Sequence, residues 1–215
     1  MRNSAFTQDM TMMYVMHDAL RRELGHIAAT AARTDTDPRA VLRSAPGWQM
    51  FKDYLHVHHG AEDDILWPAI RAAVAGRPDE NDLLDAMEAE HAVIDPGLAA
   101  VDAAIASDEP GTGALTAIVS RLVAGLNAHL THEEDQGLAV VDAYATPEVL
   151  RLFGVEHGNR IGPAMPLYLP WLLEGADAAD TEAALRPLPA PVRGAYHDEW
   201  APAFAALDRW RTAAA

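Results

Sequence analysis

Apolar residues recur along four segments of the chain at alternating spacings of three and four residues. The four stripes run over residues 10–31, 51–72, 84–105 and 115–143. A stripe of this spacing covers one face of an α-helix, and the alternation is typical of the seam between helices in a left-handed bundle. The pattern therefore predicts an all-α fold with four bundle helices.

The character of the chain changes after about residue 145, where prolines become frequent. Eight of the fourteen prolines fall between Pro147 and Pro202. Because proline breaks long helices, we predict short helices near 147–157, 166–174 and 180–186, and a longer one over 190–211. We expect residues 8–145 to form the bundle. Residues 146–215 should form a helical C-terminal extension that packs on it and is not an independent domain.

Six polar residues occupy positions on the four apolar stripes. They are His17, His58, Glu62, His91, His129 and Glu133. In each of the pairs His58–Glu62 and His129–Glu133 the residues are four apart, so both side chains lie on one face of their helix. Beyond the glutamates, the positions predicted to face inward are Ile65, Ala69 and Ala72, and Gln136, Val140 and Ala143. All four helices are therefore expected to direct a polar side chain into one layer of the core.

The six side chains have the composition of a transition-metal site. A buried carboxylate must be paired or bind a metal, and no Arg or Lys lies on the four stripes. The absence of cysteine excludes disulfides, iron–sulfur clusters and cysteine-based zinc sites. Four imidazoles and two carboxylates are too many for one tetrahedral zinc and too rich in nitrogen for magnesium or calcium. They suit two transition ions, iron first, with manganese or zinc as alternatives.

Two HxxxE repeats give the chain a resemblance to a known family. One repeat, HHGAEDDILWP, begins at His58, and the other, HLTHEED, begins at His129. With His17 before them and His91 between them, they resemble the hemerythrin-like, HHE cation-binding domain over about residues 8–145. The resemblance implies an antiparallel, up-down four-helix bundle with an oxo- or hydroxo-bridged pair of iron ions. It also implies that Glu62 and Glu133 bridge the irons, with His17 and His58 on one iron and His91 and His129 on the other.

The third helix departs from the pattern of oxygen-carrying hemerythrins, which have two histidines four residues apart there. The positions four residues from His91 are Met87 and Asp95. One iron is then a ligand short, unless Asp95 binds it. His59, beside His58, is interpreted as a flanking residue that either lies next to a ligand or replaces one.

Three further observations narrow the interpretation. A ferritin-like di-iron site needs a Glu-x-x-His pair on each of two helices, and only Glu88 with His91 fits. Gln136, one turn beyond Glu133, could hydrogen-bond a bridging carboxylate. Four methionines near the start of the first helix are interpreted as core residues and not as sulfur ligands: Met10, Met12, Met13 and Met16.

Three classes of function fit these residues. The first is a di-iron protein that binds or reduces a small oxidant (oxygen, peroxide or nitric oxide), which includes catalase-like activity. The single third-helix histidine favours a response to peroxide or oxygen over oxygen transport. The second is an iron- or oxygen-sensing module that acts through an unidentified protein partner without turnover. The third is a helical interaction protein without metal.

Charge and hydropathy bear on partners and location. The net charge of −16, with no basic patch, argues against nucleic acid as a partner. No run of about 18 apolar residues predicts a membrane span, and the first residues lack the pattern of a secretory signal. We therefore expect a cytoplasmic protein with no membrane partner.

Overall fold

The computed structural model describes residues 6–107 and 113–211, and every regular element within these ranges is helical. The four predicted stripes fall on the helices α1 (Thr11–Ala31), α3 (Gly47–Ala61) with α4 (Trp67–Ala73), α5 (Pro78–Ala106), and α6 (Gly113–His132) with α7 (Leu138–Tyr144). A short helix, α2 (Pro38–Ser44), connects α1 to α3. Single π-turns, Glu62–Leu66 and Glu133–Gly137, join α3 to α4 and α6 to α7. The prediction of an all-α helical bundle is confirmed.

Within the described residues the hydrophobic core forms two clusters, and the polar stripe residues lie between them. In α1, Met13 belongs to the smaller cluster and Leu20 to the larger one, and His17 stands between them in sequence. The same order is found around His91 in α5. The polar layer is therefore enclosed by apolar side chains, which remove it from water and raise the cost of any unpaired charge.

Each π-turn adds one residue to its helix and rotates the buried face that follows. An i→i+5 turn holds one residue more than an α-helical turn. The residues buried beyond the glutamates include Leu66 and Ile70 in place of Ile65 and Ala69, and Gly137 and Val141 in place of Gln136 and Val140. Ala72, Gln136 and Ala143 are exposed. The predicted inward positions were wrong there because the periodicity assumed an uninterrupted α-helix.

The C-terminal part of the chain packs on the larger core cluster. It forms α8 (Pro147–Ile161), α9 (Met165–Leu173), α10 (Ala178–Leu185), α11 (Ala190–Ala195) and α12 (Ala201–Ala205), with a 3₁₀ turn at Gly162–Ala164 and a π-turn at Tyr196–Trp200. Tyr168, Trp171 and Phe204 are buried in the same cluster as residues of α1, α3, α5 and α6. The division of the chain at residue 145 stays a prediction.

The last predicted helix is shorter than expected because the chain turns after Ala205. The turn brings the carbonyl of Arg209 to the first residue of α3, where the N–H of Gly47 donates a hydrogen bond to it (3.0 Å). A Cβ at Gly47 would lie 2.6 Å from that carbonyl oxygen and 2.6 Å from the ring of Trp210. Glycine at this position therefore permits the C-terminal segment to close over the start of α3.

One helix in the described part of the chain, Gly113–Tyr144, is long and apolar enough to cross a membrane by length and composition. This is weak evidence, because helices in the cores of soluble proteins meet the same criteria. The helix also carries His129 and Glu133, which lie buried beside other polar side chains.

Candidate metal centre

Buried side chains from all four bundle helices meet in the polar layer as two adjacent donor groups. The first group contains His17, His58, Glu62 and Glu133, and the second contains His59, His91 and His129. Within each group, one ligand atom of every residue lies within 4.8 Å of the others. The structure thus brings together all six residues that the sequence singled out, and it adds His59.

The two glutamates link the two groups. Glu62 directs Oε1 toward Nε2 of His58 (3.2 Å) and Oε2 toward Nε2 of His91 (3.6 Å). Oε2 of Glu133 lies 3.3 Å from Nε2 of His17 and 3.9 Å from Nε2 of His129. Each carboxylate therefore faces one imidazole of each group, which is the placement expected of a bridge between two cations.

The inward-facing atoms of this layer lack the hydrogen bonds that buried polar atoms need. Glu62 and Glu133 are 0% exposed, and within the described residues neither carboxylate has a hydrogen-bond partner. Burial, together with the nearby Glu133, raises the pKa of Glu62 well above its usual value. Two carboxylates enclosed in this way are costly without cations between them.

A second set of carboxylates contacts three of the imidazoles on their other nitrogen. The Nδ1–carboxylate pairs are His17–Glu134 (2.9 Å), His91–Asp63 (2.8 Å) and His129–Glu90 (2.9 Å). Because an ionised carboxylate only accepts hydrogen bonds, each Nδ1 carries a hydrogen, and in the neutral form of the ring Nε2 keeps the lone pair that a metal would bind. Histidine ligands of protein-bound metals are commonly oriented in this way.

The Nε2 atoms of His91 and His129 lie 3.1 Å apart. With the hydrogens on Nδ1, two lone pairs face each other at this distance. A cation bound by both nitrogens would remove the repulsion between them. The ring of His59 stacks on that of His91, with centroids 4.0 Å apart, so a third imidazole lies beside the same point.

The imidazoles of the first donor group differ in their electrostatic environment. Burial lowers the pKa of His17, but Glu133 and Glu134 outweigh burial and raise this pKa to about 9. Burial raises the pKa of Glu134, but hydrogen bonds from His17 and Arg21 outweigh it and lower this pKa to about 2. Burial lowers the pKa of His58 well below its usual value. Glu134 is therefore ionised and His58 neutral at pH 7, the forms that support and bind a metal.

Of the two residues that the sequence left open as an additional ligand, His59 lies in the layer and Asp95 does not. The side chain of Asp95 is 71% exposed and pairs with Nε2 of His56 at the surface (3.1 Å). His59 therefore adds a third imidazole to the second donor group, from the second bundle helix. Gln136 is exposed, so the hydrogen bond considered for it is not formed.

Each glutamate of the layer is the first residue of a π-turn. Such turns often occur at functional sites, because they widen a helix locally and redirect a side chain. Within the second π-turn, a Cβ at Gly137 would lie 3.0 Å from Cγ of Glu133. The glycine thus leaves room for the Glu133 side chain. The periodicity of the sequence contained no signal for either π-turn.

More than one cavity reaches the layer, and His129 lines a space of about 230 Å³. An apolar cavity of about 310 Å³ extends to His58 between α1 and the C-terminal helices. A second cavity, of about 450 Å³, extends to His59 and His91 and is lined by polar residues such as Asp63 and Asp95. The two donor groups therefore differ in the character of the space beside them.

Comparison with known proteins identifies one family. The family model of the hemerythrin HHE cation binding domain matches residues 9–140, which is more than half of the chain. No curated protein and no solved structure matched. The matched residues include every member of the two donor groups.

Proposed function

Because this chain belongs to the hemerythrin HHE cation-binding domain family, we propose that its two donor groups hold two iron ions that bind or reduce a small oxidant. Oxygen, peroxide and nitric oxide are the candidate oxidants. The observation that carries the proposal is the pair of buried glutamates, each of which faces one imidazole of each donor group. A pair of linked metal ions explains why both carboxylates are buried and each faces imidazoles of both donor groups.

The donor set fits two iron ions. His17 and His58 would hold one ion, His59, His91 and His129 would hold the other, and Glu62 and Glu133 would bridge them. Imidazole and carboxylate are ligands that iron accepts, and manganese or zinc remain alternatives with the same donors. The family also leads us to propose that the four bundle helices run antiparallel, up and down. When bound, the irons supply two electrons that the protein's side chains cannot supply themselves.

The surrounding residues keep the imidazoles in position. Glu134, Asp63 and Glu90 accept hydrogen bonds from His17, His91 and His129 and so fix the orientation of those rings. Arg21 in turn holds Glu134, with Nη1 2.6 Å from Oε1. The apolar clusters on both sides of the layer exclude water, which strengthens every charge interaction within it.

The two ions would differ in coordination. The first donor group offers two imidazoles and the second offers three, while both share the two glutamates. The ion held by His17 and His58 therefore has fewer protein ligands and more room for an external one. This asymmetry favours a reaction with an added oxidant at the His58 side of the centre.

An anaerobic peroxide titration tests this function. Protein that carries two irons is reduced, and hydrogen peroxide is then added while ferric charge-transfer bands are recorded. We expect the bands to appear on addition and to be lost in His58→Ala. The control is His56→Ala, which removes an exposed histidine outside both donor groups. An unchanged spectrum in the protein with two irons would refute oxidant reduction by peroxide.

A further inference from the structure

The C-terminal extension forms one wall of a partly open cavity beside the bundle. The cavity has a volume of about 310 Å³ and lies between α1 and the helices α8, α9 and α10. Apart from four polar side chains, its lining is made of apolar side chains and glycine; the four are Asp9, His58, His157 and Tyr168. The lining residues from Leu150 onward lie outside the part of the chain that matches the family.

The inner end of the cavity is the metal layer. His58 lines the cavity and also belongs to the donor group with two imidazoles. His157 of α8 lies beside it, with ring centroids 6.1 Å apart, and Tyr168 of α9 follows at 5.5 Å from His157. A molecule in the cavity would therefore place one end at the more open metal position and its body among apolar side chains.

Methionines form much of the wall contributed by α1 and by the residue that precedes it. Met10, Met13 and Met16 are buried and line the cavity, and Met12 is 43% exposed. The pattern of the first stripe predicts only core packing for these residues. Unbranched thioether side chains adapt to irregular shapes, so a wall of this kind suits an apolar guest and not a fixed polar contact.

We propose that the cavity binds organic hydroperoxides, with the apolar body in the cavity and the hydroperoxide group at the metal beside His58. This inference rests on the proposed function and names its substrate class. An engineered apolar cavity of about 150 Å³ holds a benzene molecule, so a space of 310 Å³ accommodates an alkyl or aryl hydroperoxide. Hydrogen peroxide has no apolar body and gains nothing from this lining.

The reaction balances as a two-electron reduction. The O–O bond of the hydroperoxide breaks, the two oxygens take up two protons in total, and an alcohol and water are formed. The two electrons come from a diferrous pair, which becomes diferric. The product alcohol keeps the apolar body and one hydroxyl group, and it has no O–O bond with which to oxidise the metals, so it serves as a probe for binding without reaction.

Binding is tested with cumyl alcohol, the product expected from cumene hydroperoxide, by calorimetric titration of the metal-loaded, oxidised protein. Gly158 lines the cavity, and a Cβ there would meet no atom within 4 Å. Gly158→Leu therefore places a side chain into the cavity without a backbone clash. The matched control is Gly25→Leu, at an exposed helical glycine outside the cavity that also has nothing within 4 Å.

We expect saturable binding of cumyl alcohol, weakened at least about tenfold in Gly158→Leu and unchanged in Gly25→Leu. Gly154 also lines the cavity, one turn away on α8, so Gly154→Leu should weaken the binding of cumyl alcohol in the same way. The second variant shows that the loss does not come from a folding defect in Gly158→Leu. No saturable binding to the unaltered protein, or equal binding by Gly158→Leu and Gly25→Leu, would overturn the inference.

A second measurement separates this inference from the proposed function. The reduced protein is mixed with cumene hydroperoxide or with hydrogen peroxide, and the rate constants of iron oxidation are compared. We expect Gly158→Leu to lower the ratio of the two constants about tenfold and Gly25→Leu to leave it unchanged. An unchanged ratio in Gly158→Leu overturns the hydroperoxide assignment while peroxide reduction stands. If neither peroxide reacts, the hydroperoxide assignment and peroxide reduction both fail, although cumyl alcohol still binds.

Discussion

Removal of the Glu134 carboxylate should weaken metal binding although Glu134 lies in neither donor group. Oε1 of Glu134 is 2.9 Å from Nδ1 of His17 and 2.6 Å from Nη1 of Arg21. In Glu134→Ala, the His17 ring loses the group that fixes its orientation, and Arg21 loses a carboxylate that lies nearer to it than Asp18 does (2.6 Å against 3.8 Å). Loss of such an outer partner typically lowers metal affinity by about 10- to 100-fold, which corresponds to about 1.4–2.8 kcal/mol.

The effect can be measured by anaerobic titration of ferrous iron against a chromophoric chelator that competes for it. Glu134→Gln keeps a hydrogen-bond acceptor and loses only the charge, so we expect a smaller loss than in Glu134→Ala. Asp135→Asn, at the exposed neighbouring position, is the matched control and should leave the affinity unchanged. Affinities within twofold of one another for the unaltered protein, Glu134→Ala and Asp135→Asn would refute the orienting role of Glu134.

Three other changes test separate parts of the site. His59→Ala should lower the metal content by about one ion per chain, and His56→Ala should not; equal contents by elemental analysis would exclude His59 as a ligand. Without metal at pH 7, Glu62→Gln should raise the free energy of unfolding in urea by about 1–3 kcal/mol, because it removes a buried carboxyl group whose pKa is raised. A lower free energy of unfolding in this variant would contradict the prediction. Burial and Arg160 lower the pKa of His157 to about 4, below its value of 6.5 in the unfolded chain. The unfolded chain therefore takes up a proton at His157 first, so the free energy of unfolding should fall as the pH drops from 6.5 to 4 and should not change through this residue above pH 6.5. His157→Gln should therefore show a flatter pH dependence in urea denaturation, and an identical curve would disprove the shift.

The parts of the site that could be predicted from sequence are those that follow from regular helical spacing. His17, His91 and the HxxxE pairs lie on uninterrupted stretches of stripe, and the structure places them together. They are polar residues at positions where the stripe is otherwise apolar, so they can be recognised from the sequence alone. The metal preference follows from the same residues, because only the donor types are needed for it.

The remaining parts depend on local departures from the α-helix and on tertiary packing. A π-turn begins at each glutamate, so the stripe beyond it shifts by one residue and Leu66 is buried where Ile65 was predicted. His59 follows His58 directly and would lie off the seam of an isolated helix, yet it stacks on His91 of α5. The adjacent histidines were the available signal, but only packing could show which of them reaches the second donor group.

The outer carboxylates were also hidden in the sequence. Asp63 and Glu134 directly follow the two glutamates and resemble ordinary solvated positions, since both helices are rich in acidic residues there. Asp63 accepts a hydrogen bond from His91 and Glu134 accepts one from His17, and both contacts become apparent only when neighbouring helices are placed side by side. Contacts between helices that are distant in sequence are not encoded in the periodicity of either one.

X-ray absorption at the iron edge of the purified, iron-loaded protein shows whether the polar layer holds two linked irons. Two irons linked by Glu62 and Glu133 should give an iron–iron scattering distance of about 3.5–4 Å, together with a first shell of nitrogen and oxygen ligands. A spectrum from iron with nitrogen and oxygen neighbours but no second iron within that distance would contradict a two-metal centre in the polar layer.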